Sequence, residues 1–288
     1  MKRVIFIGCW LAILICSRAW AVEPLGNFDA TTEIVGQNPN GLETPVNQLV
    51  ASAGILVELQ GVRPNALALS PDGRLLVTSG QTRELLALDP ATGKIRQRVA
   101  FPPEAENQPV KSVSTLVLDA SLKAKMSFTG LAFSPDGSRI YLSNVNGDIK
   151  VFRVDKDQNV SPHFSLPLPP ANAPGRTNDI PTGLAVSRDG KRIYVALNVA
   201  NRLVELDAVT GKVLRTWNVG VAPYDVALAG KKIYVSNWGG RRPDADSVTG
   251  PIGRNGIVRV DENSVASEGS VSVVDLDGNA DPSAIRNS

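Results

Sequence analysis

Short apolar runs alternate with turn-forming residues along most of the chain, and four segments repeat one pattern. Each segment has an apolar run, a turn such as "SPDG", and a second apolar run rich in Val, Ile, Leu or Tyr. Proline presets φ at the second turn position and glycine accepts the left-handed conformation, so the pattern predicts a hairpin of two strands, a and b. The four segments are residues 62–80, 126–144, 179–197 and 221–237.

A second half follows three of these segments, as in "ELLALDPATGKIRQRVAF" and "RLVELDAVTGKVLRTWNV", and predicts strands c and d. The shortest distance between equivalent positions gives the period, and four strands in about 40 residues are typical of a β-propeller blade. A helical solenoid is disfavoured because Pro and Gly recur inside every unit. The equivalent residues, spaced 64, 53 and 40 positions apart, are Val77, Tyr141, Tyr194 and Tyr234.

The sequence therefore predicts an all-β protein, a β-propeller of four-stranded blades with about four blades present. Residues 1–21 are assigned to a signal peptide, 22–53 to an N-terminal extension and 54–288 to the propeller. The blades are predicted at about 62–101, 128–168, 181–219 and 222–276, with insertions at 103–126, 167–180 and 239–267.

Two arrangements of the blades fit this pattern. In the first, the four blades form part of a propeller of the seven-bladed type. In the second, "GILVELQG" (54–61), which has the position of a strand d, completes the fourth blade and closes a four-bladed ring. Closure would protect the edge strands. We favour the first arrangement because blades of the seven-bladed type must pack at a different angle to close at four.

The three insertions are predicted to project from one face. In an up-and-down blade the a–b and c–d turns lie at one end, and the b–c loops and d–a connections lie at the other. Insertions 103–126 and 167–180 interrupt d–a connections, and 239–267 interrupts a b–c loop. Long loops on one face of a rigid scaffold are where binding usually resides. We expect a binding face here; the alternative is that the insertions are neutral surface loops.

The amino terminus has the features of a secretory signal. "MKR" is a charged region, "VIFIGCWLAILIC" an apolar region, and "AWA" a small-x-small cleavage site. We expect cleavage after Ala21 and a periplasmic or secreted protein; the alternative is an uncleaved anchor. Cleavage removes Cys9 and Cys16, the only cysteines, and this excludes a disulfide or a thiolate metal site in the mature chain.

Cleavage also changes the charge of the chain. Losing Lys2, Arg3 and Arg18 leaves 30 − 3 = 27 basic residues against 28 acidic ones. A net charge near −1 gives no electrostatic reason to bind nucleic acid or an anionic membrane. We therefore expect no nucleic acid, and no membrane after signal cleavage, among the partners.

Motifs of catalytic chemistry are missing from the sequence. His163 is the only histidine, and one imidazole cannot supply a multi-histidine zinc site. There is no "GxSxG", "GxGxxG" or Walker loop. The acidic runs "DKDQN" (155–159) and "DLDGN" (275–279) lack the Gly and Glu that an EF-hand needs at its sixth and twelfth positions, so they indicate c–d turns. We expect no enzyme activity, no cofactor and no metal.

Trp238, Arg241 and Arg242 form the most suggestive cluster, in "NWGGRR" on the elaborated face. A tryptophan beside two arginines can hold an aromatic or anionic group by stacking and forked hydrogen bonds. The alternative is that Trp238 packs against a neighbouring blade while the arginines pair with Asp244 and Asp246.

Three further residues are predicted at strand entrances on the same face. Tyr224 and Asp225 lie at the start of the fourth strand a, and Arg63 lies at the corresponding point of the first. They are candidates to line the mouth of the central channel. Asp225 has the alternative of capping its own turn.

The repeat units "LALSPDGRLLVTSG" and "GLAVSRDGKRIYVALNVANRLVELDAVTGKVLRTWNVG" resemble the YVTN-repeat β-propellers of exported bacterial proteins. The segment "SNWGGRRPDADSVTGP" and its continuation to residue 276 resemble propellers that precede an alkaline-phosphatase-like phosphoesterase domain. No metal-binding phosphoesterase domain follows in this sequence, so that activity is not carried over. The chain is interpreted as the amino-terminal part of a longer protein or a truncated relative.

Together these features predict an exported, non-catalytic propeller that acts as a binding or scaffold module on its elaborated face. Its expected partner is an unidentified protein or a small anionic ligand. The alternative function is the N-terminal propeller part of a secreted phosphoesterase, with a phosphoesterase domain as partner.

Overall fold

The computed structural model describes residues 35–39, 41–45, 48–50, 54–103, 124–173, 176–252, 256–277 and 286–287. These residues form strands and turns and contain no helix. The chain divides into two compact units, residues 1–56 and 57–288. The predicted signal peptide and most of the insertion predicted at 103–126 lie outside the described residues.

The first unit contains one small antiparallel sheet. Its strands β1 (Gly36–Asn38), β2 (Gly41–Glu43) and β3 (Leu49–Val50) lie in the order β1-β2-β3. The sheet falls within the predicted N-terminal extension, where the sequence pattern indicated no strand.

The second unit contains four four-stranded antiparallel sheets, named blades 1 to 4 in chain order. Blade 1 consists of β4 (Pro64–Leu69), β5 (Leu76–Gly80), β6 (Glu84–Leu88) and β7 (Ile95–Ala100). Blade 2 consists of β8 (Met126–Phe133), β9 (Arg139–Asn144), β10 (Asp148–Val154) and β11 (Val160–Pro167), and a hairpin of β12 (Pro170–Ala173) and β13 (Arg176–Asn178) follows it. Blade 3 consists of β14 (Pro181–Val186), β15 (Arg192–Leu197), β16 (Arg202–Asp207) and β17 (Val213–Asn218). Blade 4 begins with β18 (Pro223–Ala229) and β19 (Lys232–Asn237), continues past a hairpin of β20 (Thr249–Ile252) and β21 (Gly256–Arg259), and ends with β22 (Ser270–Asp275) and β23 (Arg286–Asn287).

Consecutive blades pack face to face, with the innermost strands β4, β8, β14 and β18 side by side. Each space between two blades is filled by apolar side chains from both, because every strand presents alternate residues to its two faces. The all-β propeller with four blades that the repeats predict is confirmed. The largest core residues include Phe101 and Phe152 between blades 1 and 2, Tyr141 and Leu166 between blades 2 and 3, and Tyr194 and Trp217 between blades 3 and 4.

One Ser–Asp–Gly arrangement shapes the a–b hairpins of three blades. In blade 2 the Ser134 hydroxyl donates to Asp136 Oδ1 at 2.5 Å, and that oxygen accepts the Ser138 N–H at 3.0 Å. Gly137 has φ of +73°, in the left-handed region that favours glycine. In each hairpin the serine hydrogen bond is the largest cause that holds the pKa of the aspartate below its ordinary value. Blades 1 and 3 build the same turn with Ser70 and Asp72, and with Ser187 and Asp189.

In the part of the chain that the structure describes, blades 1 and 4 do not close a four-bladed ring. Residues 54–61 form no strand, and β23 takes the fourth place in blade 4. Val57 instead packs against the Leu86 and Leu88 cluster of blade 1. Leu67 of blade 1 is 65% exposed and Tyr234 of blade 4 is 36% exposed, so these two blades do not cover each other. The alternative in which 54–61 complete the fourth blade is therefore wrong.

Candidate functional site

Three aromatic side chains meet where the innermost strands of blades 2 and 4 begin. The rings of Tyr224 and Trp238 are stacked, with centroids 4.9 Å apart and planes inclined by 24°. Phe128 meets Tyr224 edge-on, with centroids 5.4 Å apart. We call these three residues the aromatic shelf. Its outer member, Trp238, is 72% exposed, whereas Tyr224 and Phe128 are half-buried.

Irregular backbone sets the direction of these side chains. Strands β8 and β18 each shift register near their beginning, between Met126 and Leu131 and between Pro223 and Asp225. Phe128 has φ of +47°, which is uncommon for a residue with a side chain. Bulges and positive φ values re-aim side chains at a cost in local strain, and they concentrate at functional sites. Strand a of blades 1 and 3 shifts register at the same place, so the positive φ of Phe128 is the backbone feature that is particular to the shelf.

Trp238 is also held by main-chain hydrogen bonds at the start of its loop. Its N–H donates to the carbonyl of Ala222 at 3.0 Å, and the Gly239 N–H donates to the carbonyl of Val221 at 2.9 Å. Ala222 has φ of +50°, so the chain turns sharply before Tyr224. These bonds fix the loop base while the indole faces solvent. The alternative in which Trp238 packs against a neighbouring blade does not describe this side chain.

The two predicted arginines have different surroundings. Arg241 Nη1 lies 2.6 Å from Asp244 Oδ2, and both side chains are exposed. Asp244 also accepts a hydrogen bond from the Ser247 hydroxyl. The Ser247 bond first, and Arg241 second, lower the pKa of Asp244 to about 2. Arg241 therefore has the ion pair that the alternative interpretation gave it, at a solvated place where a stronger anion can compete.

Arg242 braces the loop against blade 3. Its Nε donates to the carbonyl of Val219 at 2.7 Å, and its Nη2 donates to the carbonyl of Asn201. Burial, followed by the nearby charge of Arg202, lowers the pKa of Arg242. Because Nε and Nη2 of Arg242 already donate to main-chain carbonyls, this guanidinium has a structural role. Its part in ligand binding stays a prediction.

Asp225 and Arg63 lie apart in this arrangement. The Asp225 carboxylate accepts the N–H of Val226 at 2.9 Å, which is the local capping that its alternative interpretation describes. Arg63 is exposed, and its carbonyl accepts the Gln81 N–H at 3.2 Å. Within the described part of the chain, no hydrogen bond, ion pair or ring contact joins Arg63 to the shelf.

Sequence reasoning missed Phe128 and Asp179. Phe128 stands in "MSFTG" near the beginning of β8, and an aromatic residue at that strand entrance was the available signal. Asp179 is buried, and its carboxylate accepts the N–H groups of Ile180, Val199 and Ala200. Burial outweighs these bonds and raises its pKa. Asp179 thus ties the b–c loop of blade 3 to the strand entrance.

Metal binding would require a cluster of ligands among the described residues. No group of three or more His, Cys, Asp or Glu side chains within them is placed to hold a metal ion. Nor do they include a helix long and apolar enough to cross a membrane. Asp155, in one of the acidic runs, accepts the N–H groups of Asp157 and Asn159, and so caps a c–d turn.

The half-buried His163 gives a pH prediction. Burial, and then the charges of Arg139 and Arg153, lower the pKa of its imidazole below the ordinary 6.5. The unfolded chain therefore takes up this proton first as pH falls, and stability is lost on acidification below about 6.5. We expect the single imidazole NMR signal to titrate with a midpoint below 6.5, and His163→Gln to remove this part of the acid loss measured by urea unfolding. A midpoint at or above 6.5 would contradict the assigned burial.

Fold and site together define a β-propeller repeat protein with an exposed aromatic surface at the strand-entrance end. No family model matches the chain, and no curated protein matches it either. Solved structures do resemble it. Hydrazine synthase of Kuenenia stuttgartiensis is 19% identical with a TM-score of 0.48, over 79% of this chain and 50% of that one.

Two other solved structures give similar figures. The Cps50 (Swd1) β-propeller domain of Myceliophteria thermophila is 14% identical with a TM-score of 0.44, over 78% of this chain and 56% of that one. A functionally unknown protein from Desulfotomaculum acetoxidans is 14% identical with a TM-score of 0.46, over 78% of this chain and 55% of that one. The chain spans about half the length of the solved structures that it matches.

Proposed function

We propose that the protein is an exported, non-catalytic β-propeller module that binds a protein partner through the aromatic shelf. The observation that carries this proposal is Trp238, which is 72% exposed although its ring is stacked on Tyr224. Large aromatic side chains are enriched at the centres of protein interfaces, where they supply much of the binding energy.

The shelf is organised before any partner arrives. Tyr224 stacks on the indole, Phe128 packs edge-on against Tyr224, and the Ala222 carbonyl fixes the Trp238 backbone. Association therefore costs little side-chain entropy at this point, and more of the contact energy remains as affinity. Arg241 supplies a charge for the rim, where an acidic group of the partner can replace Asp244.

Capture from periplasmic extract, followed by titration of the identified partner, tests the shelf. We expect Trp238→Ala to weaken binding at least tenfold, or about 1.4 kcal/mol, because it removes the exposed half of the stack. Trp217 is buried, so fluorescence quenching in a chain cleaved after Ala21 reports mainly on Trp238. A bound partner should shield Trp238 from the added quencher and so reduce the quenching of its fluorescence.

Val209→Ala is the matched control. Val209 is an exposed apolar residue in the c–d turn of blade 3, at the opposite end from the shelf. It should leave the affinity unchanged. A partner that binds Trp238→Ala as tightly as the parent protein would show that binding lies elsewhere.

Export rests on the sequence pattern of the first 21 residues. Its test is amino-terminal sequencing of protein from the periplasmic fraction, which should begin at Val22. Protein that keeps Met1 and sediments with membranes would favour the uncleaved anchor.

A finer relationship belongs to the same proposal. The repeat units resemble YVTN propellers, and residues 236–276 resemble propellers joined to an alkaline-phosphatase-like domain. A phosphoesterase domain is therefore the first partner to try in the binding experiment.

A further inference from the structure

Each blade has two faces, one toward the preceding blade and one toward the following blade. The tyrosine of strand b lies on the following face and opposite an alanine of strand a in blades 2, 3 and 4. Tyr141 is 0% exposed and Tyr194 is 3% exposed, because the next blade covers each. Tyr234, at the same position in blade 4, is 36% exposed. The following face of blade 4 therefore lacks the cover that this repeat position normally has.

Strand c gives the same result on that face. Ile149 and Leu203 are fully buried beneath the following blade in blades 2 and 3. Their counterpart in blade 4 is Val271, because its partner Ser236 occupies the same place in strand b as the partners of Ile149 and Leu203. Val271 is exposed. The uncovered patch thus extends across two strands of blade 4.

Blade 1 shows the complementary gap on its preceding face. Leu131, Leu184 and Val226 point toward the preceding blade from strand a, and all three are buried. Leu67 occupies this position in blade 1 and is 65% exposed, with Leu69 also exposed beside it. Two large leucines facing water on one strand mark a surface that normally contacts another chain or blade.

Residues 57–62 already occupy part of this preceding face. In blade 3, the side chain nearest the Cβ position of Gly211 is Leu166, which belongs to the outermost strand of blade 2. In blade 1, the side chain nearest the Cβ position of Gly93, in the equivalent c–d turn, is Val57. Val57 therefore lies where the outermost strand of a preceding blade lies. The contact that is missing is with the inner strands of such a blade.

We propose that the fourth blade of one copy packs against the first blade of a second copy, so that two copies form a head-to-tail pair. The two uncovered faces carry the two halves of an interface that this chain already makes three times between its own blades. A second copy therefore offers each face a surface of the matching residue pattern. A head-to-tail pair makes this contact twice and leaves neither face open. Burial of Tyr234, Val271, Leu67 and Leu69 supplies the driving force.

Sedimentation velocity and light scattering across a dilution series test the pair with the purified full chain. We expect twice the monomer mass, with dissociation on dilution. Tyr234→Glu or Leu67→Glu alone should abolish the pair, because each puts a charge into both contacts. Both positions are exposed in the single chain, so circular dichroism should show a folded monomer in each case.

A mixture of the two variants gives the sharpest result. Tyr234→Glu keeps an intact first-blade face, and Leu67→Glu keeps an intact fourth-blade face, so the mixture should regain a pair held by one contact. Val209→Glu, in an exposed turn on neither face, is the matched control and should stay paired. A parent protein that is monomeric at every concentration overturns the proposal, and so does a pair that survives both substitutions or a mixture that stays monomeric.

Discussion

Replacing Lys150 with Met is expected to lower the free energy of unfolding by about 3–5 kcal/mol, the largest effect that the structure predicts. The Lys150 side chain is fully buried, and its Nζ lies 3.0 Å from Asp148 Oδ2. Asn144 donates to the other oxygen of the same carboxylate at 2.7 Å. The substitution therefore takes a cation away from a buried carboxylate, and a buried charge that loses a partner is far more costly than a lost surface contact.

The Lys150→Met substitution should also weaken the contact between blades 1 and 2. Lys150 Nζ donates to the carbonyl of Pro103 at 3.0 Å, and the Ser165 hydroxyl donates to that carbonyl at 2.7 Å. Pro103 lies just past the last strand of blade 1, at the base of the insertion predicted at 103–126. The buried ion pair thus anchors the beginning of one of the three predicted loops of the binding face.

Urea unfolding measures this effect, and an exposed ion pair provides its control. Lys231 and Asp277 lie 2.7 Å apart, but both side chains are largely in water. Lys231→Met should leave the unfolding midpoint unchanged, because solvent screens such pairs. The double variant Asp148→Asn, Lys150→Met should recover part of the loss. A Lys150→Met effect as small as that of Lys231→Met would contradict a stabilising role for the buried ion pair.

The second large effect is expected from Gly130→Ala, at about 3 kcal/mol of destabilisation. A Cβ on Gly130 would lie under 3.0 Å from Ser143 Oγ and from the carbonyl oxygen of Thr182. The Ser143 hydroxyl donates to this same carbonyl at 2.7 Å, so β9 and β14 are already in close contact here. One methyl group must therefore separate blades 2 and 3 or break this hydrogen bond.

Gly54→Ala is the matched control for this substitution. A Cβ on Gly54 would meet none of the described residues within 4 Å, and neither glycine needs a positive φ. Reduced freedom of the unfolded chain should make Gly54→Ala neutral or stabilising by about 0.4–1 kcal/mol. If the two variants unfold at the same urea concentration, the close approach at Gly130 does not limit blade packing.

The local parts of the fold could be predicted because their causes are local. Ser134, Asp136 and Gly137 form their hairpin within six residues, and the same letters recur in blades 1 and 3. A period of such hairpins is sufficient to indicate blades. The packing role of Gly130 could not be predicted from its repeat, even though "TGLA" appears twice in the sequence. The atom that a Cβ would clash with, the carbonyl oxygen of Thr182, belongs to the next blade.

The candidate site could be predicted only in part. Tyr224 and Trp238 were found because both lie at strand ends on the elaborated face, which strand order alone determines. The contact with Phe128 depends on how blade 4 is rotated relative to blade 2, and no pattern within one repeat encodes that rotation. The same is true of Arg242, because two of its hydrogen bonds go to main-chain carbonyls, which carry no residue signature.

The contact between Phe128 and Tyr224 has a consequence for the unfolding of the whole array. In a repeat protein whose units touch only their neighbours, stability is a sum of local terms, and end units can fray independently. This ring pair joins blade 2 directly to blade 4, across blade 3. Loss of the terminal blade therefore also breaks a contact of an interior blade, which makes melting of the array more concerted.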